Sequence, residues 1–291
     1  MQKNYAKLEN TVLSQFIENQ KIQYQNKEFL VLLSGKPKTN KGGEPKTDCY
    51  IKLKDLSNEK IHEYKISCKL KSSNEFQENK IRAERAEEIL GPNWKNIITK
   101  TSTKIDNLFK ERPLNNPNGY KQNKYGHLVL GWKIEIASKK RTLSAELELS
   151  EQKIKDYIYK GTNQKEEKKN SYINNIKVKD SGIANYILIA EIEDINSPKD
   201  VLDKIIDIDK HKIKKHYLIF TGNTYNVNKP KNKTDGNRSL AVRIEWELKN
   251  DELYPNIKYD SPLTPPSNSK DMRKIIDKIF EKHPRLKDKY L

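Results

Sequence analysis

Two strand-like segments of this 291-residue chain carry residue types that can hydrolyse a phosphate ester. Residues 48–54 and 63–70 alternate in character, as strands with one apolar face do. In the first, Cys49, Ile51 and Leu53 fall on one face and Asp48, Tyr50 and Lys52 on the other. In the second, Tyr64, Ile66, Cys68 and Leu70 share the apolar face, and Glu63, Lys65, Ser67, Lys69 and Lys71 the polar one. Paired as a meander, the two strands bring Asp48 and Lys69 onto the same side of a sheet. A carboxylate there can hold a hard cation such as magnesium, which keeps several of its waters. Such an ion lowers the pKa of a bound water and neutralises phosphate charge. A neighbouring lysine can orient that water and stabilise the charge developing on the phosphoryl group. Cys49 and Cys68 point to the core, as small buried hydrophobes.

The elements that must position these residues follow from periodicity. Leu8, Val12, Leu13, Phe16 and Ile17 predict a helix over 5–19. Residues 28–33 read as a short buried strand, and 34–46, rich in Gly, Pro, Lys and Thr, as a loop. A helix over 75–90 is predicted, with Asn74 as cap, Gln77 three residues on and Gly91-Pro92 as the stop. Residues 94–110 read as helical, 127–137 with 142–149 as a hairpin across residues 138–141, and 151–159 as a short helix. The Lys/Glu/Asn-rich stretch 160–181 reads as a mobile loop. A buried strand over 185–193, a helix from Ser197-Pro198 to about 208 and a strand over 216–221 come next. A basic loop over 228–238, strands over 239–248 and 252–259, a proline linker and a helix over 270–282 complete the chain, which has no internal repeat.

Composition narrows the function. The formal charge is +17 and the pI about 9.5, which suits a polyanionic partner. Lysine with abundant Asn and Ile is also what AT-rich coding favours, so the arginines are more telling: eight among 57 basic residues. No apolar run reaches the roughly 18 residues of a transmembrane helix. The first residues lack an apolar signal core. Two cysteines make neither a disulfide framework nor a Cys-rich zinc site, so the expected compartment is a reducing cytoplasm. No basic amphipathic helix with a Trp/Phe/Leu face stands out for a membrane surface. The five histidines lack metal-ligand spacing, and there is no Gly-X-Gly-X-X-Gly or Walker loop.

The run Gly43-Glu44-Pro45-Lys46-Thr47-Asp48, followed after 18 intervening residues by Ser67-Cys68-Lys69, resembles the PD-(D/E)XK nuclease motif of many type II restriction endonucleases. The helix–meander–helix order from 5 to 90 resembles that superfamily's core; the rest of the chain matches no family pattern. The resemblance implies an α/β (mixed α+β) fold with a restriction-endonuclease-like core, a central mixed sheet flanked by helices, and β-rich recognition elements. It implies magnesium as cofactor and cleavage leaving a 5′-phosphate and a 3′-hydroxyl. Ser67 stands where the motif usually has an acid. A subset with Ser-X-Lys takes its acid from the following helix, where Glu84, 15 residues after Lys69, is nearest, ahead of Glu87 and Glu78. Glu9 or Glu18 of the first helix is the other source that relatives imply, and the Cys68 carbonyl a further metal ligand. Catalytic candidates are thus Asp48, Lys69, Ser67 and Glu84; metal candidates are Asp48, Cys68 and Glu84.

For DNA contact, Arg141 with Lys140 at a hairpin tip, and Arg238 with Asn237, Asn232 and Lys233 in the basic loop, are the candidates, together with Gln77. Arginine reads guanine bidentately, asparagine and glutamine read adenine, and lysine contacts phosphate. Most of Tyr120, Tyr125, Trp132, Tyr217, Phe220 and Trp246 are expected in the core. The expected organisation is one nuclease domain over 1–291, with the core mainly in 1–110 and 185–221. Recognition elements fall mainly in 127–149 and 225–260. The expected partner is double-stranded DNA, bound by a homodimer where the site is palindromic. A DNA methyltransferase would belong to the same system without forming a complex. The alternatives are a nonspecific repair or mobile-element nuclease of the same fold and a noncatalytic nucleic-acid-binding protein.

Overall fold

A computed structural model of the chain describes residues 4–40, 43–73, 76–78, 81–116, 127–225 and 238–290. In chain order the elements begin with α1 (Asn4–Ser14), β1 (Lys21–Tyr24), β2 (Lys27–Gly35), β3 (Cys49–Asp55), β4 (Ile61–Leu70) and β5 (Gln77–Glu78). Then come α2 (Ala83–Leu90), α3 (Trp94–Thr103), α4 (Asp106–Lys110), β6 (Asn115–Asn116), β7 (His127–Ala137), β8 (Ser144–Glu146), α5 (Glu151–Lys153) and α6 (Glu166–Lys169). They are followed by β9 (Tyr172–Ile173), β10 (Ile176–Lys177), β11 (Tyr186–Ala190), α7 (Pro198–Lys204), β12 (Ile205–Asp207) and β13 (Tyr217–Tyr225). The last are β14 (Val242–Lys249), β15 (Glu252–Lys258), α8 (Ser269–Lys282) and α9 (Pro284–Tyr290). The fold is mixed α/β, in two compact units: Met1–Asn74 with Glu88–Gly91 and Leu149–Ile213, and Glu75–Glu87 with Pro92–Glu148 and Lys214–Leu291. No helix among the described residues is long and apolar enough to cross a membrane.

The first unit is built on a six-stranded mixed sheet in the order β1-β2-β3-β4-β11-β12. β1 to β4 form an antiparallel meander, β11 joins β4 in parallel, and β12 closes the edge antiparallel to β11. Gln25 and Asn26, both at positive φ, make the two-residue turn between β1 and β2. The alternation read from the sequence is the one observed. Cys49, Ile51, Leu53, Ile66, Cys68 and Leu70 lie in one core cluster with Leu8, Val12 and Phe16, spaced to share the face that α1 lays on β3 and β4. Tyr50 belongs to a second cluster with Leu33 and Ile173. Three expectations change here. The helix expected over 5–19 ends at Ser14, and the helix expected to about 208 ends at Lys204 because Ile205–Asp207 pairs with β11. The stretch 160–181 is not a bare loop: it holds α6 and the β9–β10 hairpin, with Ser171 and Ser181 buried and hydrogen-bonded.

The second unit carries an antiparallel sheet in the order β15-β14-β7-β13-β8, with β5 and β6 also pairing with β7. Phe109 of α4 fills its core, 4.6 Å from the Trp132 ring and 5.1 Å from that of Phe220. The Trp246 indole N–H donates to the Val129 carbonyl at 2.8 Å. Gly131 is required where strands approach: a Cβ there would come within 2.3 Å of the Val242 carbonyl oxygen. α8 begins at Ser269, one residue before the predicted start, with the Asn268 side chain accepting from the Asp271 N–H. The expected hairpin of 127–137 with 142–149 is not formed. β13 lies between β7 and β8, since its nine residues give β7 a far longer partner than three-residue β8. The helix expected over 75–90 begins only at Ala83, because Gln77 and Glu78 pair with Ala137 and Ile136 of β7 instead. Residues 92–110 and 214–221, read with the core in the sequence, belong to this unit.

Candidate active site

Four neighbouring elements of the first unit converge on Asp48. It immediately precedes β3, and its own N–H donates to the Ile66 carbonyl of β4 at 2.8 Å. Its Oδ2 accepts from the Cys68 N–H at 2.8 Å and from the Ser67 hydroxyl at 3.3 Å. The carboxylate is therefore fixed against β4 by the Ser67-Cys68 step, and Lys69 lies on the same strand face as Ser67. Burial pushes the Asp48 pKa up, while the Lys69 charge, the Cys68 N–H, the Lys36 charge and the Ser67 hydroxyl pull it down.

The acid brought to this place is Glu9. α1 packs on β3 and β4, and the Cys49 thiol donates to the Glu9 carbonyl at 3.5 Å. The Glu9 side chain, nearly buried, accepts from Lys36 Nζ at 2.6 Å. Lys36 directly follows β2, whose last residue Gly35 pairs with Tyr50 of β3. Burial raises the Glu9 pKa against the lowering contact of Lys36, and the nearby Asp48 and Glu44 charges raise it further. Burial alone lowers the Lys36 pKa, but Glu9, Glu44 and Asp48 more than offset it, so it ends above its ordinary value. The charge of Lys36 thus acts on both desolvated carboxylates, and that of Lys69 on Asp48 as well. Glu18, the other acid of the amino-terminal stretch, is exposed and accepts from Asn174 instead.

Cys68 contributes backbone only. Its thiol points into the core, 3.7 Å from that of Cys49, and both cysteines are free. Glu84 and Glu87 are exposed on the part of α2 that belongs to the second unit. Glu88, the buried acid of α2, belongs to the first unit and accepts from Lys168 at 2.8 and 3.0 Å. Glu78 is paired with Arg85 at 2.8 Å. Among the described residues no three His, Cys, Asp or Glu side chains gather into a ready-made metal-binding group. The oxygen donors of Asp48 and Glu9 nonetheless suit a hard cation, since magnesium is commonly held by one or two carboxylates and keeps several waters. Lys36 was not singled out by the sequence: only the β2–β3 register brings it there.

The candidate DNA-contact residues that are described lie in the second unit. Lys140 is exposed and Arg141 half-buried in the turn before β8, where the Ser144 hydroxyl links the Arg141 N–H and carbonyl at 3.0 and 2.6 Å. Gln77 donates to Glu135 at 3.1 Å. Gln77, Arg82, Lys133 and Arg238 line a cavity of about 300 Å³. Arg243 is buried between Glu245 and Asp260, a structural role. Lys233, Asn232 and Asn237 lie outside the described residues. No family model, curated protein or solved structure matches the chain.

Proposed function

We propose that the chain is a magnesium-dependent, sequence-specific double-stranded DNA endonuclease of the type II restriction class, built on a restriction-endonuclease-like core. The observation that carries the reading is the Asp48 carboxylate, tied to the Ser67-Cys68 step with Lys69 on the same strand and Glu9 beside it. The Ser-X-Lys form of the motif lacks one acid, and Glu9, whose charge is coupled to that of Asp48, would supply a second carboxylate. This favours Glu9 over Glu84 as the second acid.

Asp48 and Glu9, with the Cys68 carbonyl, would hold the magnesium ion. Bound there, the ion supplies a water of lowered pKa and positive charge beside the phosphate. Lys69 orients the attacking water and stabilises negative charge on the phosphoryl oxygens. Ser67 and the Cys68 N–H aim Asp48 and favour its ionised form against the upward pull of burial. Lys36, paired with Glu9, balances the two carboxylates. Hydrolysis leaves a 5′-phosphate and a 3′-hydroxyl. The second unit contains most of the segments 127–149 and 225–260 assigned to recognition, and the +17 charge favours a polyanion. The enzyme acts in the cytoplasm as a homodimer on palindromic sites, alongside a separate DNA methyltransferase.

The test is incubation of plasmid DNA with the protein in magnesium or in EDTA. Discrete fragments in magnesium alone are expected. A smear would point to a nonspecific nuclease of the same fold, and intact but retarded plasmid to a noncatalytic binder.

A further inference from the structure

The second unit holds a cavity of about 430 Å³ that the hydrolytic reading does not use. Trp132, Phe220 and Leu143 give it an apolar lining, with Arg112 and Arg141 beside them. It lies where β13 presents Gly222 directly opposite Trp132 of β7. A glycine there leaves the space next to the indole without a side chain. A Cβ built on Gly222 would meet nothing closer than the Trp132 Cδ1 and Nε1 atoms, both at 4.0 Å. The polar edge of the indole therefore borders this space. Trp132 is only 3% exposed, and its indole N–H donates to no described residue. An indole N–H that borders open space can exchange a water for a ligand acceptor. Arg112, which lines the same space, adds guanidinium donors, which suit a flat ring with paired acceptors on one edge.

We infer that this cavity takes a nucleobase with an acceptor edge, guanine, turned out of the stack of a bound nucleic acid. Guanine presents O6 and N7 as adjacent acceptors, and Arg pairs with both. Trp132 and Phe220, 3% and 4% exposed, give the cavity an apolar wall, and turning a base out of a duplex costs a few kcal/mol that burial against that wall and pairing with Arg112 offset. The biological sense of the pocket rests on the reading of the chain as a DNA enzyme; its test does not.

The experiment titrates the full chain with guanosine 5′-monophosphate and follows tryptophan emission, with cytidine 5′-monophosphate and inorganic phosphate as comparison ligands. Saturable quenching that is stronger for the guanine nucleotide is expected, and equally so in EDTA and in Asp48→Asn. Gly222→Val fills the space beside the indole and should weaken binding roughly tenfold or more. Arg112→Ala, altering a partly exposed loop residue, should also weaken it and serves if Gly222→Val folds poorly. Unchanged binding in folded Gly222→Val or in Arg112→Ala would overturn the inference. So would the absence of saturable quenching, or a response to inorganic phosphate equal to that of the nucleotide. Guanine binding without any plasmid cleavage would sink the endonuclease reading and leave the pocket standing.

Discussion

The Oδ2 atom of Asp48 accepts a 2.8 Å hydrogen bond from the backbone N–H of Cys68, while the Cys68 thiol lies across the strand in the core, 3.7 Å from Cys49 Sγ. One residue thus orients the carboxylate through its backbone and fills the core with its side chain. Cys68→Ala should keep cleavage near the wild-type rate. It should also lower the unfolding free energy by about 1–2 kcal/mol, the usual cost of a small buried truncation. Single-turnover kinetics and urea unfolding check both halves; a folded variant that no longer cuts would show that the thiol takes part in the chemistry.

Glu9 and Glu84 make opposite predictions. Glu9→Gln removes a nearly buried carboxylate beside Asp48, so single-turnover cleavage in magnesium should fall by roughly 100-fold or more. Glu84→Gln alters an exposed side chain and should leave the rate close to that of the wild type. Full activity in Glu9→Gln together with loss in Glu84→Gln would return the second acid to α2.

The strand faces and the Asp48–Lys69 juxtaposition were legible because period-two alternation survives in β3 and β4 whatever they pack against. What escaped depends on partners distant in sequence. β13 displaced β8 from β7, and β7 captured Gln77 and Glu78 out of a helical pattern, through pairings that local periodicity does not encode. The turns at Gln25-Asn26 and Asn174-Asn175 use left-handed residues without the glycine that usually marks them. Glu9 was a named alternative in the sequence. Its selection came from the packing of α1 on β3, and that of Lys36 from strand register.

His216 gives a pH dependence with a definite sign. It is 1% exposed, 5.3 Å from the Phe76 ring, and its Nδ1–H donates to the Lys214 carbonyl at 2.8 Å. Burial holds its pKa below the ordinary value, against a small upward pull from that hydrogen bond. The unfolded chain therefore takes up the proton first, at about pH 6.5. The stability contributed by the neutral ring is present above that pH and is lost as pH falls toward the folded-state pKa. Urea unfolding from pH 7 to pH 5 should show a flatter loss of stability in His216→Gln than in the wild type; a steeper loss would contradict the assignment.

If the +17 charge forms a DNA-binding surface, the logarithm of affinity should fall with the logarithm of salt, by roughly 0.9 per phosphate neutralised. Fluorescence anisotropy of labelled duplex with Asp48→Asn, which separates binding from cutting, measures the slope. A flat line between low and physiological salt would show that the lysine excess does not contact DNA.

The most direct measurement compares Asp48→Asn and Lys69→Met with the wild type in one assay, scoring site-specific cleavage in magnesium and duplex binding in the same buffer. On the proposed function, both variants lose a group that would act on the scissile phosphate, while the second unit would keep its phosphate contacts. The account predicts discrete fragments from the wild type in magnesium, none in EDTA, and uncut DNA still bound by both variants. Cleavage at the wild-type rate by folded Asp48→Asn or Lys69→Met would contradict it.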